Sequence, residues 1–149
     1  MMNLDFFDRF ADPYLKTPTG RGVFLGGLIL GVVASQQSDR GTVQDSPLFK
    51  QVSFGRMQVR DIRRLLSRVP ELSKAYGIRN PGRVSRLLAE AGSLLLEGDK
   101  KDLGVDGNFT FSVAFSNAWR FYKEIFPDDQ AAQKALETIE LTEEKNIEE

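Results

Sequence analysis

Arg56, Arg60, Arg64 and Arg68 stand four residues apart, with Arg63 beside them. On a helix a row at that spacing drifts by only about 40° per step, so the expected result is one ridge of guanidinium groups. Arg79, Arg83 and Arg86 follow, and Lys100 and Lys101 close the run. Guanidinium forks engage phosphate oxygens two at a time and stack on bases, so this set suits gripping a nucleic-acid backbone without reading its sequence. These ten residues are the candidate nucleic-acid-binding set. The competing reading is a solvated helix face kept charged for solubility.

Other chemistry has little to work with. The chain has no histidine and no cysteine, which removes the usual zinc sites, haem ligation, thiol redox chemistry and Ser-His-Asp triads. Acid–base catalysis would need a carboxylate or lysine with a shifted pKa in a cleft. Glu90, near the apolar stripe of its segment, and Asp61, beside the arginines, are better explained by surface ion pairing. Gly20, Gly22, Gly26 and Gly27 follow no strand and lack the Gly-Lys-Ser/Thr of a phosphate loop. No catalytic residue, metal site or cofactor is therefore expected, and the chain reads as a non-enzyme.

The charge is distributed unevenly. Over 149 residues it sums to -1, yet residues 50–101 carry twelve basic groups against five acidic, or +7, and residues 128–149 carry two against eight, or -6. Eight of those twelve basic groups are arginine. A basic block beside an acidic end points to a polyanion partner, or to basic and acidic faces of separate copies docking together.

Those residues need elements to hold them. With 41% hydrophobic and 28% charged residues, the composition is that of a soluble domain that needs no covalent staple. From Arg21 to Gln37 the sequence is apolar around its whole circumference, which predicts a central, buried helix. Its twelve-residue core, Val23 to Ala34, is too short for a bilayer, which takes roughly 20 residues. Gly22 with Gly26, and Gly27 with Gly31, are spaced so that each pair lets another helix approach on one face. No membrane contact is expected, and the acidic residues Asp5, Asp8 and Asp12 before this run are unlike a signal peptide, so a cytoplasmic location follows.

Around this axis, Asn3–Leu15 predicts a short helix or turn docking aromatics, closed by breakers at Thr17–Gly20, and Ser38–Ser46 predicts a polar loop. Val59, Ile62, Leu65, Leu66, Val69 and Leu72 predict one amphipathic helix over Gln58–Ala75, bent at Pro70. Asn80–Pro81 opens a helix reaching Gly98. Residues 108–126 alternate like a strand at Phe109, Phe111, Val113 and Phe115, but helical spacing from Phe111 to Phe126 fits the full length and is preferred. A last acidic helix occupies about 128–149, with Asp128 and Asp129 at its positive dipole end and a frayed stretch from Glu143. The fold expected is all-α, a single compact bundle of five to six helices forming one domain over 1–149.

Several of these residues carry a family resemblance. They are Gly22-Val-Phe-Leu-Gly-Gly-Leu-Ile-Leu-Gly31, Gln36 and Gln37, Pro47-Leu-Phe-Lys50, Arg60-Asp-Ile-Arg-Arg-Leu-Leu66 and the aromatic segment ending at Phe126. Over roughly residues 20–126 the chain resembles the C-terminal region of large subunits of type I CRISPR effector complexes, such as subtypes I-B and I-D, which is also made as a free small subunit. The resemblance implies a Cascade small subunit present in several copies, contacting the large and backbone subunits. It further implies contacts to the backbones of guide RNA, target DNA or the displaced non-target strand, sequence being read by base pairing. The alternative is a helical scaffold that self-assembles through its basic and acidic faces without binding nucleic acid directly.

Overall fold

Twenty residues without an acidic group, Pro18–Gln37, form helix α1. The Thr17 side-chain oxygen accepts the N–H of Gly20 at 3.0 Å, and Pro18 occupies the first turn, where its missing N–H costs nothing. The helix thus begins inside the segment that the sequence suggests is a breaker. From Gly22 to Ser35 every residue is buried. At twenty residues α1 is long enough to cross a membrane, longer than its apolar run implies, but in this fold protein covers it on every side.

The computed structural model describes residues 2–37, 43–98 and 100–148. Among them are eight α-helices, three 3₁₀ turns and no strand. Helix α2 spans Pro47–Gln51, α3 Val59–Ser67, α4 Val69–Tyr76, α5 Pro81–Gly98, α6 Gly104–Ser116, α7 Ala118–Ile125 and α8 Gln130–Glu148. The all-α bundle expected from the sequence is present. Two splits and one short extra helix raise the number of helices above five or six.

The segment expected as one bent helix divides into α3 and α4 at Arg68, because Pro70 cannot donate to the Leu66 carbonyl and its ring crowds it. The aromatic segment is helical, and it divides at Asn117, whose backbone leaves helical geometry. The strand alternative for residues 108–126 is not taken up, and an isolated bridge joins Gln58 and Asp102 elsewhere. Helix α2 was not anticipated; Ser46 caps it by accepting the N–H of Phe49 at 3.1 Å. Of the expected Ser38–Ser46 loop, residues 38–42 lie outside the described residues and Val43–Asp45 form a 3₁₀ turn. Two more 3₁₀ turns, Asp5–Arg9 and Pro13–Lys16, bring Phe6 and Phe7 into the core beside Phe24. At the other terminus α8 extends to Glu148.

Helix α5 lies antiparallel to α1. Arg79 N–H bonds Gln36 Oε1 at 2.9 Å at one end, and Gly98 meets Thr19 at the other. Helix α6 runs parallel to α1 on another side, and there the two backbones nearly touch. A Cβ at Gly27 would stand 2.7 Å from the Phe111 carbonyl oxygen, and one at Gly31 would stand 2.5 Å from that of Phe115. This pair does what the spacing predicts. Gly22 and Gly26 instead face side chains on two different helices, Leu95 of α5 and Ile62 of α3.

Helix α8 is fastened by one buried carboxylate. Asp129 is 3% exposed, and its Oδ1 accepts the N–H of Ala132 at 3.0 Å, capping the helix. Its Oδ2 accepts from Asn80 Nδ2 at 2.7 Å, Arg83 at 3.0 Å and the Tyr122 hydroxyl at 3.0 Å. The Arg83 guanidinium also reaches Asp128 at 3.3 Å and lies 5.0 Å from the centre of the Phe126 ring. Burial opposes ionisation of Asp129, but the bonds from Ala132, Tyr122, Asn80 and Arg83 outweigh it and hold its pKa below the ordinary carboxylate value. Burial, and then the Asp129 charge, push the Tyr122 hydroxyl well above its ordinary value.

Three substitutions check this packing. Gly31→Ala is expected to lower stability by about 1–3 kcal/mol in urea denaturation, because its methyl meets a fixed carbonyl. Gly92→Ala, where nothing lies within 4 Å, should instead stabilise by up to about 1 kcal/mol through helix propensity. Asp129→Asn should cost about 3 kcal/mol at pH 7, since it leaves a partly buried arginine short of its charge. A depressed carboxylate pKa stabilises the folded chain above the unfolded value of about 3.9 and ceases to as the pH falls through the folded value. The gap between Asp129→Asn and wild type should therefore narrow as the pH falls below about 4.

Candidate nucleic-acid interface

On α3 the buried side chains are Val59, Ile62, Leu65 and Leu66, and Arg60, Arg63, Arg64 and Arg68 occupy the opposite, exposed arc. The apolar stripe seats the helix against Gly26 of α1, so burying one face exposes the other. Asp61 starts the helix by accepting the N–H of Gln58 at 2.8 Å. It also faces Arg64 at 3.9 Å, a contact that leaves the arginine side chain 70% exposed. Such a surface pair contributes little, up to about 1 kcal/mol, and leaves the guanidinium available. Arg68 donates to Gln51 Oε1 on α2.

Arg56 sits off this ridge. It precedes the helix in a turn set by Gly55, whose φ of +83° glycine adopts without strain. Its N–H bonds the Ser53 carbonyl at 2.9 Å, and its side chain is exposed. The helical row of four arginines expected from spacing is therefore three, Arg60, Arg64 and Arg68, with Arg63 alongside and Arg56 at the entry.

Tertiary packing adds the two lysines to that entry. Val59 N–H bonds the Lys101 carbonyl at 3.0 Å, next to the Gln58–Asp102 bridge. Asn108 of α6 accepts the Met57 N–H at 2.9 Å and donates to the Gly104 carbonyl at 2.9 Å. The chain between α5 and α6 is thereby laid along the start of α3, with Lys100 and Lys101 exposed. The sequence marked these lysines as members of a basic block, and the fold makes them neighbours of Arg56 and Arg60.

The α5 residues are deployed differently. Helices α3 and α5 run in opposite senses along α1, as a shared wall would require, but each packs on α1 and they touch only at a margin. Arg79, anchored through its backbone to Gln36, and Arg86 are exposed. Arg83 is the exception in the candidate set, because Asp128 and Asp129 already hold it in the network that docks α8. Among the described residues, Arg56, Arg60, Arg63, Arg79, Arg86, Lys100 and Lys101 have no carboxylate partner. A small hollow lies elsewhere, beneath α8, between Phe115, Trp119, Leu136 and Ile139.

Two outward apolar residues escaped the sequence reading. Val105 is 87% exposed and Phe109 68% exposed, both on α6. The signal was in the helical register. With Phe111 and Phe115 turned inward, Phe109 falls roughly 200° around the helix from Phe111 and must point out.

Comparison with curated proteins and with solved structures returns no match. One family model matches residues 3–125, that of the CRISPR-associated protein TM1802 (cas_TM1802) C-terminal domain. The matched span runs from the first aromatic turns through the end of α7, takes in the basic entry and ridge, and stops before α8. It ends where the resemblance seen in the sequence ends, at the junction with the acidic helix. A bundle built on a glycine-notched central helix, with its arginines turned outward, thus belongs to the CRISPR-associated TM1802 C-terminal domain family.

Proposed function

We propose that this chain is a non-catalytic small subunit of an RNA-guided CRISPR surveillance complex in the cytoplasm. In this reading it holds the guide RNA–target DNA heteroduplex or the displaced DNA strand by its phosphates, and base pairing supplies the sequence specificity. The observation that carries the reading is the line of exposed cations from Lys100 and Lys101 past Arg56 to Arg60, Arg63 and Arg64. Most of these lack a carboxylate partner among the described residues. A phosphate backbone would supply what they lack, and releasing its counterions would drive the association. A non-catalytic role agrees with a chain that has no histidine or cysteine and commits its deepest carboxylate, Asp129, to holding α8.

Charge on α8 favours a second contact, with further copies of the chain. Glu137 and Glu140 are exposed on that helix, opposite in sign to the α3 ridge, and sedimentation that falls apart with added salt would register their association. In the scaffold alternative this contact occurs without any affinity for polynucleotides.

Arg60→Glu, Arg63→Glu and Arg64→Glu combined should weaken strand binding by the assembled complex at least tenfold at low salt. If three phosphate contacts are lost, the log–log salt slope should fall by about 2 units on single strands. Binding and slope equal to wild type in a gel-shift titration would sink the proposal.

A further inference from the structure

Phe109 and Val105 stand one helical turn apart on the outward face of α6, 68% and 87% exposed. Neither supports the core, whose α6 contribution is Phe111, Ala114 and Phe115. The residue before Phe109 is Asn108, which is bound to the backbone of Met57, the residue after Arg56. Lys101, through its carbonyl, is bound to Val59, the residue before Arg60. These bonds bring the segment that carries the outward apolar pair to the entry of the cationic line, where the chain positions of Arg56, Arg60, Lys100 and Lys101 also meet. Among the described residues the opposing charges at this entry are Asp102, which is exposed, and Asp61, which accepts the Gln58 N–H, while Asp106, three residues before Phe109, also acts on the Tyr14 hydroxyl, which burial and that charge push up to about 12.

We infer that Phe109, supported by Val105, is a stacking platform for an unpaired base of a single nucleic-acid strand whose phosphates lie on Arg56, Arg60 and Lys101. A flat ring beside a row of cations is the arrangement by which proteins hold single strands, since every base offers a π-face and every nucleotide a phosphate. A duplex keeps its bases stacked on one another and offers this ring nothing. The site thus separates single strands from duplexes while remaining indifferent to sequence. The inference rests on the proposed role in strand holding and adds to it a preference for unpaired nucleotides.

The test uses the full chain with a fluorescein-labelled oligothymidine of about 20 nucleotides and a hairpin duplex of matched charge, read by anisotropy. Phe109→Ala is expected to weaken oligothymidine binding about tenfold and leave hairpin binding unchanged, with Phe109→Trp restoring or tightening it. Because Phe109 is exposed, its removal should leave the thermal melt unchanged, which separates lost stacking from lost fold. Arg60→Glu combined with Arg63→Glu should weaken binding of both ligands. If Phe109→Ala binds the strand like wild type while the arginine reversals do not, the platform is overturned and the holding role stands. The same holds if Phe109→Ala leaves strand binding intact but blocks assembly with the other subunits, which would make Phe109 a protein contact. If the wild-type chain and the assembled complex bind neither ligand, both readings fall together.

Discussion

The bundle depends on how closely α6 approaches α1. Two glycines, Gly27 and Gly31, leave room for the Phe111 and Phe115 carbonyls at distances no methyl group would tolerate. That contact fixes the register of α6, and α6 carries Asn108, which ties down the residues leading into α3. A one-residue slip between α1 and α6 would move Asn108 away from Met57 and with it the chain that places Lys100 and Lys101. The cationic entry is thus set by a glycine notch on a helix that contributes no charge to it.

Arginines of one sequence block meet two fates, and burial separates them. Arg83 lies over Phe126 and beside Asp129, where partial desolvation strengthens charge-assisted hydrogen bonds and ordering the side chain is repaid. Arg60 and Arg63 stand in water, where an intramolecular ion pair gains little, and among the described residues they have none. An exposed, unpaired guanidinium keeps its full capacity for an external phosphate. Spacing in the sequence treated all of these arginines alike; only their surroundings distinguish a fastening from a binding group.

Much of the architecture was legible beforehand. The circumferential apolarity of Val23–Val33 identified the central helix, and the spacing of Val59, Ile62, Leu65 and Leu66 identified the buried face of α3, hence the exposed arginines opposite. Both follow from local periodicity, which a helix converts directly into geometry. Helix ends were less legible. Pro18 reads as a breaker and serves as a first-turn residue, while Pro70 and Asn117 divide segments whose apolar pattern continues across the break.

The sequence by itself determined an all-helical chain, its greasy axis, and a basic middle facing an acidic end, because composition and period need no knowledge of distant neighbours. Tertiary structure alone decided that Arg83 belongs to Asp129, 46 residues away, that Lys101 lies against Val59, and that Phe109 is left in solvent. Those facts depend on which helices α1 holds together and in what register, and contacts across such separations leave no period in a single sequence.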